Sequence, residues 1–144
     1  MRLSTKGHYG LKAMFDLAMH YGAGPVPLKS VAERQSISGH YLEQLIAVLR
    51  KGGLVKSVRG AQGGYVLARP PEEIRVGDVI RVLEGPIAPV GCVSELKTTE
   101  CDQADHCITR TVWARVRDSI TQVMDSISLA DMCREEEKSR QNRE

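Results

Sequence analysis

Apolar positions divide this chain into short segments of helical period separated by glycine and proline stops. Leu11, Met14, Leu17, Ala18 and Tyr21 recur at helical spacing. They predict a buried helix face over 4–21, with Ser4 as its cap and Gly22 and Gly24-Pro25 as its stop. A short helix over 28–35 follows, with Leu28, Val31 and Ala32 inward, and then a polar turn, Ser36-Ile37-Ser38. Ser38 is a good cap for a third helix over 39–51. That helix divides cleanly. Leu42, Leu45, Ile46 and Leu49 form an apolar stripe, and His40, Glu43, Gln44, Ala47 and Lys51 lie opposite. Gly52-Gly53 ends it. Residues 54–58 and 65–67 read as two strands joined by a glycine-rich turn.

After Pro70-Pro71 a further helix is expected over 76–83, with Val79, Ile80 and Leu83 inward. The stretch 85–107 has no period and reads as a long loop, a length that usually serves function. A long helix then starts near Ile108. Its stripe is Ile108, Val112, Val116, Ile120, Val123 and Ile127. Ser128 can cap a last turn reaching Met132, and the polar run 134–144 reads as a frayed tail. The fold class expected is mostly α with a small β-wing: a winged helix-turn-helix domain over 1–84, a cysteine-bearing loop over 85–107, a dimerisation helix over 108–133, and the tail.

Charge sharpens this division. The net charge of +2 over 144 residues is uninformative. Residues 1–69, however, hold ten Lys and Arg against three acids, and residues 70–144 hold ten against fifteen. A basic half joined to an acidic half suggests that the first half meets a polyanion. Only 4% of residues are aromatic, which argues against stacking platforms for single strands. No apolar run approaches the ~18–20 residues that span a bilayer. The start, MRLSTKGHYG, has no signal-peptide core, so a cytoplasmic protein without membrane contact is expected.

Helix, turn, capped helix and glycine-rich hairpin follow the order of a winged helix-turn-helix, whose second helix enters the major groove of double-stranded DNA. The candidate reading face is His40, Glu43, Gln44 and Ala47, with Tyr41 beside it. Gln44 can bond adenine in two places. Glu43 can accept from cytosine N4 and repels acceptor-rich edges, so it discriminates as well as attracts. Ser38 and the helix start can hold a phosphate. In the wing, Arg59 can enter a narrow minor groove, Gly60, Gly63 and Gly64 let backbone approach DNA or take positive φ, and Gln62 is a further candidate DNA contact. Arg2, Lys6, Lys29, Arg50, Lys51 and Lys56 are candidate phosphate contacts.

Cys92, Cys101 and Cys107 lie in the long loop in the pattern C-x8-C-x5-C. Structural zinc sites use closer pairs, so open spacing of soft thiolates suits an iron–sulfur cluster better. A redox thiol set or an inert loop fits the same residues. Cys133 stands apart and reads as a bystander. The acids Glu95, Glu100, Asp102 and Asp105 read as solvating. The stripe from Ile108 to Ile127 is longer than so small a core requires. A partner helix in a two-fold homodimer would bury it, and packing on the first helix is the alternative. Trp113 is expected near the base of this helix or the loop. No His or Asp base is spaced to serve a Cys, and no phosphate-binding glycine motif opens a helix, so an enzyme is not expected.

MRLSTKGHYGLKAMFDLAMH, PLKSVAERQSISGHYLEQL, LVKSVRGAQGGYVLARPPEEI and GDVIRVLEGP followed by three cysteines resemble the winged helix-turn-helix transcription-factor family of the iron–sulfur cluster regulator IscR. The likeness spans about residues 1–130. It implies a homodimeric repressor of iron–sulfur cluster biogenesis genes that holds a [2Fe–2S] cluster through Cys92, Cys101 and Cys107. It also implies that 38–44 reads the major groove, that Arg59 enters the minor groove, and that Glu43 makes the cluster-free form selective. Two positions depart from the pattern. The first cysteine interval has eight residues where the family has five, and Arg110 stands where the family places a histidine ligand. His8, reaching across a dimer, and His106 are equal candidates for the fourth ligand, with Asp105 behind. A nitric-oxide or thiol-redox input on the same fold is the alternative.

Overall fold

The computed structural model describes residues 3–94 and 107–143. In chain order these form α1 (Thr5–Met19), α2 (Leu28–Gln35), α3 (Gly39–Lys51), β1 (Val55–Val58), β2 (Gly64–Leu67), α4 (Val76–Glu84), α5 (Ile108–Ser126) and α6 (Leu129–Arg143). Single 3-10 turns occupy Pro71–Glu73 and Gly91–Val93. The architecture is mostly helical with a two-stranded antiparallel wing, as the periodicity predicts.

Ser4 caps α1, its hydroxyl accepting from the Lys6 amide at 3.2 Å. Of the expected face, Met14, Leu17 and Ala18 are buried and Leu11 is half-buried, and Ala13 joins them. Tyr21 does not join it, because the helix ends at Met19 and the ring, past the end, is 49% exposed. Gly10 lets α4 pack close: a Cβ there would lie 2.1 Å from Leu83 Cδ1. The α1 face also buries a carboxylate, Asp16. Arg34 of α2 donates to both its oxygens at 2.9 and 2.7 Å, and Gln35 adds a bond at 3.0 Å. Burial alone would raise the Asp16 pKa. The hydrogen bonds from Arg34 and Gln35, with the guanidinium charge, outweigh it and hold the carboxyl below its ordinary range.

α2 ends in a left-handed residue, Ser36, at φ 55°. The turn buries Ile37 and presents Ser38, whose hydroxyl accepts from the Tyr41 amide at 3.2 Å. Leu42, Leu45, Ile46 and Leu49 are all buried, each contributing roughly 1.5–3 kcal/mol. The wing pairs Val55 with Leu67 through to Val58 with Gly64. A third short strand contact is absent from the sequence reading: Val26 and Tyr65 exchange backbone bonds of 3.0 and 2.9 Å. This contact explains Gly64, where a Cβ would fall 2.3 Å from the Val26 carbonyl oxygen. Gly63 is likewise pressed against the Val58 carbonyl. Both glycines serve the fold's own backbone, whereas Gly60, at φ 119°, takes the left-handed turn.

α5 lies on α4, with Ile120, Met124 and Ile127 against Val76, Ile80 and Ile87. Arg81 grips Asp125 through two bonds of 2.6 and 2.8 Å, in space left by Gly77. The α5–α6 joint is stitched to the segment before α4: the Val76 amide donates to the Ile127 carbonyl and the Leu129 amide to the Ile74 carbonyl. The expected last turn is instead a full helix. Ser128 and Asp131 cap α6 reciprocally, at 2.9 and 3.1 Å. Its first turns pack on α1, with Leu129 and Ala130 buried and Met132 and Cys133 against the core. The frayed tail expected over 134–144 is therefore corrected for 134–143: a docked first turn nucleates the helix, and Arg140–Glu136 at 3.1 Å supports its exposed end. No helix among the described residues is long and apolar enough to cross a membrane.

Candidate nucleic-acid interface and cysteine site

With its apolar stripe buried, α3 leaves Ser38, His40, Glu43, Gln44, Ala47, Arg50 and Lys51 exposed together. Gln44 and His40 meet, their Nε2 atoms 3.2 Å apart. Lys29 at the start of α2 and Lys6 at the start of α1 are exposed, as are Lys56, Arg59, Gly60 and Gln62 on the wing. Arg2 lies outside the described residues. Tyr41 is the exception within the set. It is half-buried, its ring edge-on to Tyr9 at 6.1 Å and its hydroxyl 3.0 Å from Thr5 Oγ1. It ties α3 to the start of α1 rather than standing with the reading face. Thr5 was missed by sequence reading, and no periodic signal marks it.

The cysteine site is described in part. Cys92 sits half-buried in the turn Gly91–Val93, and Cys107 is the residue capping α5. Cys101, Asp105 and His106 lie outside the described residues, as do Glu95, Glu100 and Asp102. The Cys92 turn is held against α5 by Arg117, whose guanidinium donates to the Val93 carbonyl at 3.0 Å. Cys107 Sγ is 3.1 Å from Thr109 Oγ1. That hydrogen bond, the Arg110 backbone and the Arg110 charge lower the thiol pKa. A lowered thiol and a second thiol on an anchored turn fit the donor chemistry of a thiolate-bound cluster. Arg110 cannot ligate iron but favours thiolate. His8 is exposed on α1. Among the described residues, no three His, Cys, Asp or Glu converge on one metal position. Cys133 is half-buried, and burial, with the Glu137 charge, pushes its thiol up.

α5 buries none of its residues fully. Ile108 is 80% exposed, Val112 50% and Val123 58%, and Trp113, expected at the base of the helix or the loop, stands exposed beside them. Among the described residues α5 lies mainly against α4 and the Cys92 turn rather than on α1, so packing on α1 does not bury the exposed part of this stripe.

A family model for Rrf2, described as an iron-dependent transcriptional regulator, matches residues 3–135. The HTH-type transcriptional regulator CymR of Bacillus subtilis is 48% identical over 132 residues, 92% of this chain and 89% of the relative. IscR of Pectobacterium atrosepticum is 43% identical over 137 residues, 95% of this chain and 82% of the relative. Among solved structures, T. potens IscR superposes with a TM-score of 0.79 at 58% identity, covering 96% of this chain and 90% of that one. The structure of CymR, called the global cysteine regulator of B. subtilis, gives 0.77 at 50% identity, covering 92% and 96%. These relatives are transcriptional regulators and not enzymes. The winged helix, its exposed polar α3 and a family match over nearly the whole length agree: this chain belongs to the Rrf2 family of DNA-binding transcriptional regulators.

Proposed function

We propose that the chain acts in the cytoplasm as a homodimeric repressor of iron–sulfur cluster biogenesis genes, with cluster status as its input. The carrying observation is that both described thiols of the loop are attached to α5, the helix with the uncovered apolar stripe. Cys107 stands at its N-cap position, and the Cys92 turn is bonded to it through Arg117. Cys92, Cys101 and Cys107 would hold a [2Fe–2S] cluster, with His8 of the second protomer or His106 as fourth ligand. The cluster supplies the sensing chemistry. The chain's own residues do the rest. The α5 stripe pairs two copies, which sets two α3 helices toward half-sites a helical turn or a multiple apart. Arg81–Asp125 and the stitched joint carry any change in how α5 lies to α4, and so to the head that holds α3.

Anaerobic reconstitution with iron and sulfide, followed by footprinting on the upstream regions of cluster-assembly genes, tests this. Visible absorbance lost on Cys92→Ala, Cys101→Ala and Cys107→Ala, with footprints that differ between loaded and unloaded protein, is expected. Identical footprints in both forms would sink the sensing claim. A second reading, thiol-redox or nitric-oxide input, is favoured by the likeness to CymR and by the lowered thiol of half-buried Cys107. It predicts that oxidant or nitric oxide, rather than reconstitution, changes the footprint.

A further inference from the structure

Cys92 and Cys107 are fastened to α5 by different means. Cys107 stands at the N-cap position, so the chain itself fixes it there. Cys92 belongs to a separate turn, Gly91–Val93, that packs on the side of the helix. Val93 is 0% exposed, so its backbone carbonyl is out of water together with its side chain. A buried carbonyl without a donor is costly. The bonds described within the turn use other carbonyls: the Val93 amide donates to Val90 at 3.3 Å and the Ser94 amide to Gly91 at 3.2 Å. The donor to Val93 is Arg117 Nη1, at 3.0 Å. Asp118 orients that guanidinium. Nε donates to Asp118 Oδ1 at 3.0 Å and Nη2 lies 2.9 Å from the same oxygen, which leaves Nη1 for the turn.

We propose that Arg117 is a positioning residue that seats Cys92 on α5, so that this thiol is in place before a cluster arrives and slow to leave it afterwards. The inference rests on Cys92 and Cys107 being ligands, as in the proposed function. Arg117 itself touches neither iron nor the thiol. Its part is to order a ligand in the empty protein, so that less freedom is lost when the site fills. An arginine suits the task, because one edge of its plane pairs with Asp118 while Nη1 still meets the carbonyl.

The unloaded whole chain is treated with iodoacetamide, and modification of each cysteine is timed by peptide mass spectrometry. Arg117→Met keeps an apolar stem and removes the donors. It should raise the Cys92 rate about tenfold, the scale of one charge-assisted hydrogen bond, and leave the Cys107 rate unchanged. Loaded anaerobically with iron and sulfide, the variant should take on the wild-type visible spectrum and lose it about tenfold faster in excess chelator. Arg117→Lys, with one flexible donor group, should recover part of both effects. An unchanged Cys92 rate, or wild-type decay of the loaded variant, overturns the proposal while the cluster reading stands. A rise at Cys107 equal to that at Cys92 also overturns it, since the whole end of the helix has then loosened. Wild type that gains no visible absorbance overturns the cluster reading, and the proposal with it.

Discussion

α3 and α5 carry apolar stripes of similar spacing and meet opposite fates. On α3, Leu42, Leu45, Ile46 and Leu49 are all covered by the chain's own α1, α2, α4 and β1, and what remains outward is polar apart from Ala47 and Val48. Of the α5 stripe, only Ile120 and, just past the helix end, Ile127 find cover, while Ile108, Val112 and Val123 stay in water. A helix whose apolar side is satisfied at home can offer its polar side to a polyanion. One whose apolar side is unsatisfied points to a second copy as cover. In the proposed function the two helices would thus divide the work of recognition and assembly.

That contrast can be broken. Leu42→Ala should cost about 2–5 kcal/mol of stability whatever the protein concentration, measured by urea unfolding. Were the loss to depend on concentration, the α3 stripe would be part of an intersubunit surface instead. The double substitution Val112→Glu with Val116→Glu should do the reverse. It should leave far-UV circular dichroism intact, shift sedimentation to the monomer and weaken operator binding about a hundredfold through lost bivalence. A stable dimer carrying both glutamates would remove α5 from the interface.

Two smaller effects sharpen the picture of how α3 is held. Asp16→Asn should cost about 1–3 kcal/mol by removing the charge that Arg34 grips. Because the folded pKa of Asp16 is depressed, its contribution is fully present above the ordinary carboxylate value of 3.8 and is lost as pH falls below it toward the folded value. The variant should therefore lose less stability than wild type between neutral pH and that acid window, and equal losses would show the pair to be energetically idle. Glu43→Ala should relax operator choice in the cluster-free form by a few-fold, seen by anisotropy titration of operator duplexes. Unchanged selectivity would reduce Glu43 to a solvated surface acid.

The stripes on α3 and α5 were legible because periodicity reports a helix's apolar side directly. Ser38 was legible because a cap is a local bond. What escaped the sequence was non-local. Nothing near Val26 announces its bonds to Tyr65, and Gly63 and Gly64 read as adaptable wing residues until those neighbouring carbonyls are seen. Asp16 looks solvated in one dimension, because its partners lie eighteen and nineteen residues away. Tyr41 belongs to the polar side by position and leaves it because Tyr9 and Thr5 offer it better company. The end of α6 reads as tail because its helix depends on the docking of Leu129 and Ala130, which composition does not encode.

The backbone stitches at the α5–α6 joint carry a consequence for ancestry. Ile127 and Leu129 are bonded to Val76 and Ile74 through main-chain atoms alone, so the anchorage does not depend on which side chains stand there. The thiol-bearing end of α5 lies roughly 28 Å away at 1.5 Å per residue over 19 residues. Mutation can rewrite the chemistry at that far end without disturbing the joint by which α5 is fastened to the head. A lineage built this way can trade one chemical stimulus for another by small steps, keeping a working regulator at every stage.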